Sequence, residues 1–126
     1  MKITETIYAK NRAGWRAWLA KNYLLKKEIW LIYYKKDSGM PRVAYSDAVE
    51  EALCFGWIDS TVKSLGKKRY CQRFTPRRDS NNWSELNKER ARKLIKAGLM
   101  TGAGLKMVQH IFDRRKNTTA RKRRCW

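Results

Sequence analysis

Asp59 stands in the run Gly56-Trp57-Ile58-Asp59-Ser60, and beyond it seven basic residues and no acid lie between Lys63 and Arg78. A carboxylate facing guanidiniums can do one of two things. Asp59 can pair with Arg73 or Arg77 across a hairpin as a structural ion pair. It can instead orient both arginines to hold a phosphate or carboxylate, whose paired oxygens match the guanidinium fork. Strand register decides between its neighbours, because a slip of one residue moves every side chain to the other face.

Glu50 and Glu51 are the next acids with chemical potential. Adjacent on a helix, they point about 100° apart and cannot form a close dyad, so acid–base use needs a third partner. The plain expectation is a solvated carboxylate, or one compensating the helix dipole. Cys54 ends the same helix, where the dipole raises a thiol pKa, and packing is its expected role. Cys71, on the arginine-bearing strand, is the better candidate for a lowered pKa. Cys54, Cys71 and Cys125 show no CxxC or Cys/His spacing, and His110 is the only histidine. No metal, cofactor or disulfide framework is expected. No Gly-rich phosphate loop or dinucleotide fingerprint occurs.

Two sites can be assembled from these residues. Lys63, Lys68, Arg69, Arg73, Arg77 and Arg78, interleaved with Tyr70 and Phe74, have the composition of a face that tracks an anionic ligand or nucleic acid. A solvated strand of any very basic protein has it too. The alternative is a cleft between the helix of Glu50 and Glu51 and the hairpin of Asp59, with Trp57 and Trp83 as walls and Asn87 nearby. Such a cleft would suit a small enzyme or metabolite sensor, although no complete catalytic constellation is readable. A flat basic face favours the first reading, and a concave pocket joining acid and arginine favours the second.

Local patterning sets the elements that must position these groups. Asn11 can cap a helix over 12–23 whose apolar face is Trp15, Trp18, Leu19, Asn22 and Tyr23, with Arg12, Arg16 and Lys21 turned away. Ile29 to Tyr34 is a continuous apolar run, too short for a helix, and reads as a central strand buried on both faces. Ile3 to Ala9 reads as a short edge strand. Ser46 is expected to cap a helix over 47–55 ended by Gly56. Two runs, 57–65 and 67–75, read as a hairpin around Gly66. Asn82 to Glu85 reads as a capping box for a helix to Ala97, with Gly98 after it and Thr101 capping a last helix to about Asp113. The fold class is therefore α+β: a small, mostly antiparallel sheet with a central hairpin, packed by about four helices.

The chain of 126 residues carries 30 Lys and Arg against 11 Asp and Glu, a formal charge of +19. That excess bears on partners and solubility rather than on fold. Residues 1–113 read as one domain and 114–126 as a disordered basic tail. The tail holds only seven of the basic residues, so the body is basic without it. Met1 is followed by no apolar leader, and no stretch approaches the roughly eighteen apolar residues of a membrane span. A cytoplasmic location is expected.

At GWRAWLAKN (14–22), AVEEALCFGWIDS (48–60), RYCQRFTPRR (69–78) and NWSELNKERARKLIKAGLMTGAGL (82–105) the chain resembles the YdeI/OmpD-associated, or bacteriocin-protection, family. The resemblance covers roughly residues 10–112 and rests mainly on ALCFGWID, FTPRR and the WSxxN helix opening. It implies a small bacterial, cytoplasmic α+β protein of stress protection or binding, and brings no established catalytic residues. Ser60, Gly66 and the basic tail depart from the family pattern.

Overall fold

A computed structural model describes residues 2–78 and 83–108. The run IWLIYY forms β2 (Ile29–Tyr34), whose first five residues are buried. Each apolar side chain buried there contributes about 1.5–3 kcal/mol. With no polar position in the run, the strand can only sit where both faces are covered. Around it lie β1 (Thr6–Tyr8), β3 (Trp57–Ser64) and β4 (Arg69–Pro76), in the sheet order β1-β2-β4-β3. The β1–β2 pair is parallel, and the β2–β4 and β3–β4 pairs are antiparallel.

The inner face carries Ile29, Leu31, Tyr33 and Phe74, packed against α1 (Arg12–Asn22) and α2 (Tyr45–Cys54). On the outer face Trp30, Ile32 and Cys71 form a second small core with Ile3, Tyr8, Tyr34 and Leu65. Asn11 caps α1 as expected, accepting from the Gly14 amide at 2.9 Å. Trp15 is fully buried, and its indole N–H donates to the Ala48 carbonyl at 2.9 Å, joining α1 to α2. Ser46 does not cap α2. That helix starts earlier, at Tyr45, with Ala44 in the cap position and no side-chain cap bond. Burial of the helix from Ala48 to Cys54 holds it in place of the missing cap.

Gly56, at φ +75°, ends α2 and turns the chain into β3. The third helix, α3, is Glu85–Lys96, and its cap is Ser84, whose hydroxyl accepts from the Asn87 amide at 3.1 Å. The expected capping box from Asn82 is thereby corrected, Asn82 itself lying outside the described residues. A Schellman turn at Gly98 closes α3, with Leu99 N donating to Leu94 O and Gly98 N to Ile95 O. Thr101 caps α4 (residues 102–108) by accepting from Gly104 N at 3.3 Å, while its hydroxyl donates to the Cys54 carbonyl. Gly104 lies so close to that carbonyl that a Cβ would collide with backbone. The expected helix end near Asp113, the boundary at 113, the tail 114–126 and His110 lie outside the described residues.

One irregularity governs the site. From the hairpin tip, Ser64 opposes Tyr70, Lys63 opposes Cys71 and Val62 opposes Gln72, but Asp59 then opposes Phe74. The extra residue in β3 is a bulge. Unbroken register would set Asp59 opposite Thr75 on the outer face. The bulge turns Asp59 and Trp57 inward.

Candidate functional site

Glu50 and Glu51 of α2 are buried and engaged in ion pairs. Glu51 is 2% exposed and Glu50 7%, and both are clamped from α1. Arg12 donates Nη1 to Asp47 at 2.9 Å, Nη2 to Glu50 Oε1 at 2.9 Å and Nε to Glu51 Oε2. Arg16 donates to Glu51 Oε1 at 2.7 Å and to the Leu99 carbonyl at 2.9 Å. Lys93 of α3 reaches Glu50 Oε2 at 3.1 Å. Burial alone would lower the Arg12 guanidinium and raise the Glu50 carboxyl. The hydrogen bonds outweigh it, so Arg12 is raised and Glu50 lowered. Both arginines were expected to face away from the packed side of α1. Their i, i+4 spacing instead matches Asp47, Glu50 and Glu51 at i, i+3 and i+4 on α2, a complementarity visible only when two helices are compared.

Asp59, turned inward by the bulge, has no part in orienting Arg73. Its Oδ2 accepts from the Tyr45 hydroxyl at 3.0 Å and from Gln72 Nε2 at 3.2 Å, and Tyr33 donates to Gln72 Oε1 at 2.9 Å. Burial and the Asp59 charge push the Tyr33 and Tyr45 hydroxyls up, so they stay neutral donors. Arg77 keeps a link to Asp59. Burial lowers its pKa against the opposing pull of that carboxylate, and its guanidinium lies 3.9 Å from the Trp83 ring centroid. The backbone N–H of Arg77 donates to Gly56 O at 2.8 Å, fixing the residue after β4 ends.

On the outer face, an open pocket of about 630 Å³ lies over the end of the β3–β4 pair. Ile58 and Pro76 supply apolar surface, Ser60 and Thr75 hydroxyls, and Lys27, Arg73, Arg77 and Arg78 positive charge; Asp59 completes the wall. Trp30 and Arg73 are register partners, which brings Glu28, two residues before Trp30, to the same outer face. Arg73 donates Nε to Glu28, and Thr4 donates to the other carboxylate oxygen at 2.8 Å. The Arg73 bond above all, then Thr4, holds the Glu28 carboxyl below the usual carboxylate range despite some burial. With Nε engaged, both Nη groups of Arg73 are without a partner among the described residues, as are the Lys27 ammonium and the Thr75 hydroxyl.

Of the six basic residues expected on one anion face, Arg73, Arg77 and Arg78 gather at this pocket. Lys63, Lys68 and Arg69 sit at the hairpin tip instead. Six residues of strand, roughly 20 Å, separate Arg69 from Thr75. Of the expected cleft residues, Asp59 alone lines the pocket. Trp57 is 1% exposed and packs edge-on to Trp18, so it is core rather than wall. Trp83 backs Arg77, and Asn87 accepts from Arg90 at 2.9 Å. Sequence reasoning missed Lys27, Glu28, Ser60 and Thr75. The period-two pattern of β4, which joins Arg73 with Thr75, was the signal available for the last.

The lining supplies positive charge and hydroxyl donors, whereas Asp59, its carboxylate, is already accepting two hydrogen bonds. Cys71, the better candidate for a lowered pKa, lies in the outer core, where burial raises its thiol. Among the described residues no group of His, Cys, Asp and Glu could hold a metal ion, and no helix is long and apolar enough to cross a membrane. The chain belongs to the family described as Domain of unknown function (DUF8412), whose model matches residues 7–107. No curated protein and no solved structure matches it.

Proposed function

We propose that this family member is a small-molecule binding module, a sensor or carrier of an anionic metabolite acting in the cytoplasm, with the outer-face pocket as its binding site. One observation carries the reading. Arg73 is anchored through Nε by Glu28, while its remaining nitrogens, Lys27 and Thr75 are left as donors on a concave surface. An anchored guanidinium loses little freedom on binding, and a fork with open Nη groups suits an oxyanion. A concave pocket supports a metabolite site better than a flat polyanion face does, because the basic residues divide between two ends of the hairpin. The stress-protection role implied by the resemblance to YdeI/OmpD-associated proteins is proposed as the setting for such a binder.

Calorimetric titration with a panel of small organic phosphates and carboxylates tests it. Lys27→Ala with Arg73→Ala should weaken the best binder at least tenfold, whereas Lys68→Ala, which removes a charge at the hairpin tip, should leave affinity unchanged. Equal loss in both variants would mean that diffuse positive charge, and no pocket, holds the anion.

A further inference from the structure

The donors around the pocket differ in kind. Arg73 offers two Nη groups in one plane, Lys27 a point charge on a flexible stem, and Thr75 a hydroxyl. A carboxylate has two oxygens in a plane and one negative charge, and a single fork nearly satisfies it. A terminal phosphate has three oxygens out of plane and carries about −1.5 to −2 charges at pH 7, so it uses a fork, an ammonium and a hydroxyl together. Arg77 and Arg78 add positive charge to the same wall. Apolar surface on Ile58 and Pro76 leaves a place for an organic substituent.

Resting on the proposed binding role of this pocket, we propose that its ligand class is the phosphate monoester: a dianionic terminal phosphate with an organic group set against Ile58 and Pro76. The Arg73 fork and Thr75 hold the phosphate oxygens, and Lys27 closes over it from solvent. Phosphodiesters, with one charge and no terminal trio of oxygens, fit the same donors poorly.

The test is calorimetry with phenyl phosphate, its methyl ester, succinate and sulfate from pH 5 to 7.5. The second ionisation of a monoester lies near pH 6, so phenyl phosphate affinity should rise about tenfold over this range. Sulfate, dianionic throughout, should show a flat profile, which separates ligand ionisation from any titration of the protein. At pH 7.5 the methyl ester and succinate should bind at least tenfold more weakly than phenyl phosphate, and Arg73→Ala should erase the difference. A short DNA strand with a 5′-phosphate should likewise outbind its unphosphorylated form if the monoester sits on a nucleic-acid end. Diester or succinate affinity equal to that of phenyl phosphate would overturn the monoester assignment and leave an anion site standing, whereas equal binding of the two strands would assign the monoester to a small molecule rather than to a nucleic-acid end. No binding by any of these anions, or binding indifferent to Arg73→Ala, would overturn both.

Discussion

Two arginine–carboxylate clusters in this molecule use the same side chains to opposite ends. Between α1 and α2, Arg12 spends all three of its nitrogens on Asp47, Glu50 and Glu51, and both oxygens of Glu50 and of Glu51 are taken. At the outer pocket Glu28 takes a single nitrogen of Arg73 and leaves two. A saturated cluster has nothing left for a ligand and holds helices together. An unsaturated one, anchored by its single bond, is a preorganised donor set. Charge and residue type do not distinguish the two; the count of uncommitted donors does.

The largest effect should come from opening the saturated cluster. Glu51→Ala leaves two arginines facing a hole with only Asp47 and Glu50 for company. The expected cost is about 3 kcal/mol, the lower end for breaking a buried pair because both arginines are about one-third exposed, or on the order of 10 °C in Tm. Calorimetry measures it, and a loss below about 1 kcal/mol would place this cluster among ordinary surface pairs.

Next is Gly104→Ala, which drives a Cβ against the Cys54 carbonyl at the end of the clamped helix. Overpacking of this kind costs about 1–3 kcal/mol. Denaturant unfolding should register it as a shift in midpoint, and an unchanged midpoint would show that α4 can lift away from α2 freely.

Arg73→Ala should then invert the pattern. Stability should fall by about 1 kcal/mol, less than for Glu51→Ala because Glu28, about one-quarter exposed like Arg73, keeps its bond from Thr4, while anion affinity falls roughly tenfold to a hundredfold with the loss of charge-assisted bonds. The comparison breaks if the variant loses more stability than affinity.

The smallest effect concerns acid. Glu28 has its folded pKa depressed, so the pair with Arg73 stabilises the fold above the unfolded carboxyl value near 4.3, and this contribution is lost as pH falls through the folded value. Glu28→Gln should therefore lower Tm slightly at pH 7, and the gap to the parent protein should close as pH falls below the usual carboxylate range. A gap that persists or widens in acid would contradict the ionic origin of the pair.

Much of the architecture was legible because it is written locally. IWLIYY has no polar position and must be doubly buried; Asn11, Gly56 and Gly98 punctuate helices by their own backbone and side-chain chemistry. Two caps were misplaced: α2 starts at Tyr45 without help from Ser46, held by its burial instead, and Ser84 rather than Asn82 opens α3. Site residues were harder to read, since Lys27 and Glu28 acquire meaning only through the pairing of β2 with β4, and only Thr75 shares a legible strand face with Arg73.

By itself the sequence determined the α+β class, the helix and strand positions, and a basic surplus that would be drawn to anions, for these follow from periodicity, punctuation and charge within short windows. Tertiary structure alone decided which charges are spent. A single bulge in β3 sent Asp59 inward to Tyr45 and Gln72, and the facing of α1 and α2 consumed Arg12 and Arg16. Register between β2 and β4 set Glu28 beside Arg73 and left the rest of that guanidinium open. Register and helix facing are long-range outcomes of burying one face, and no short window of sequence contains them.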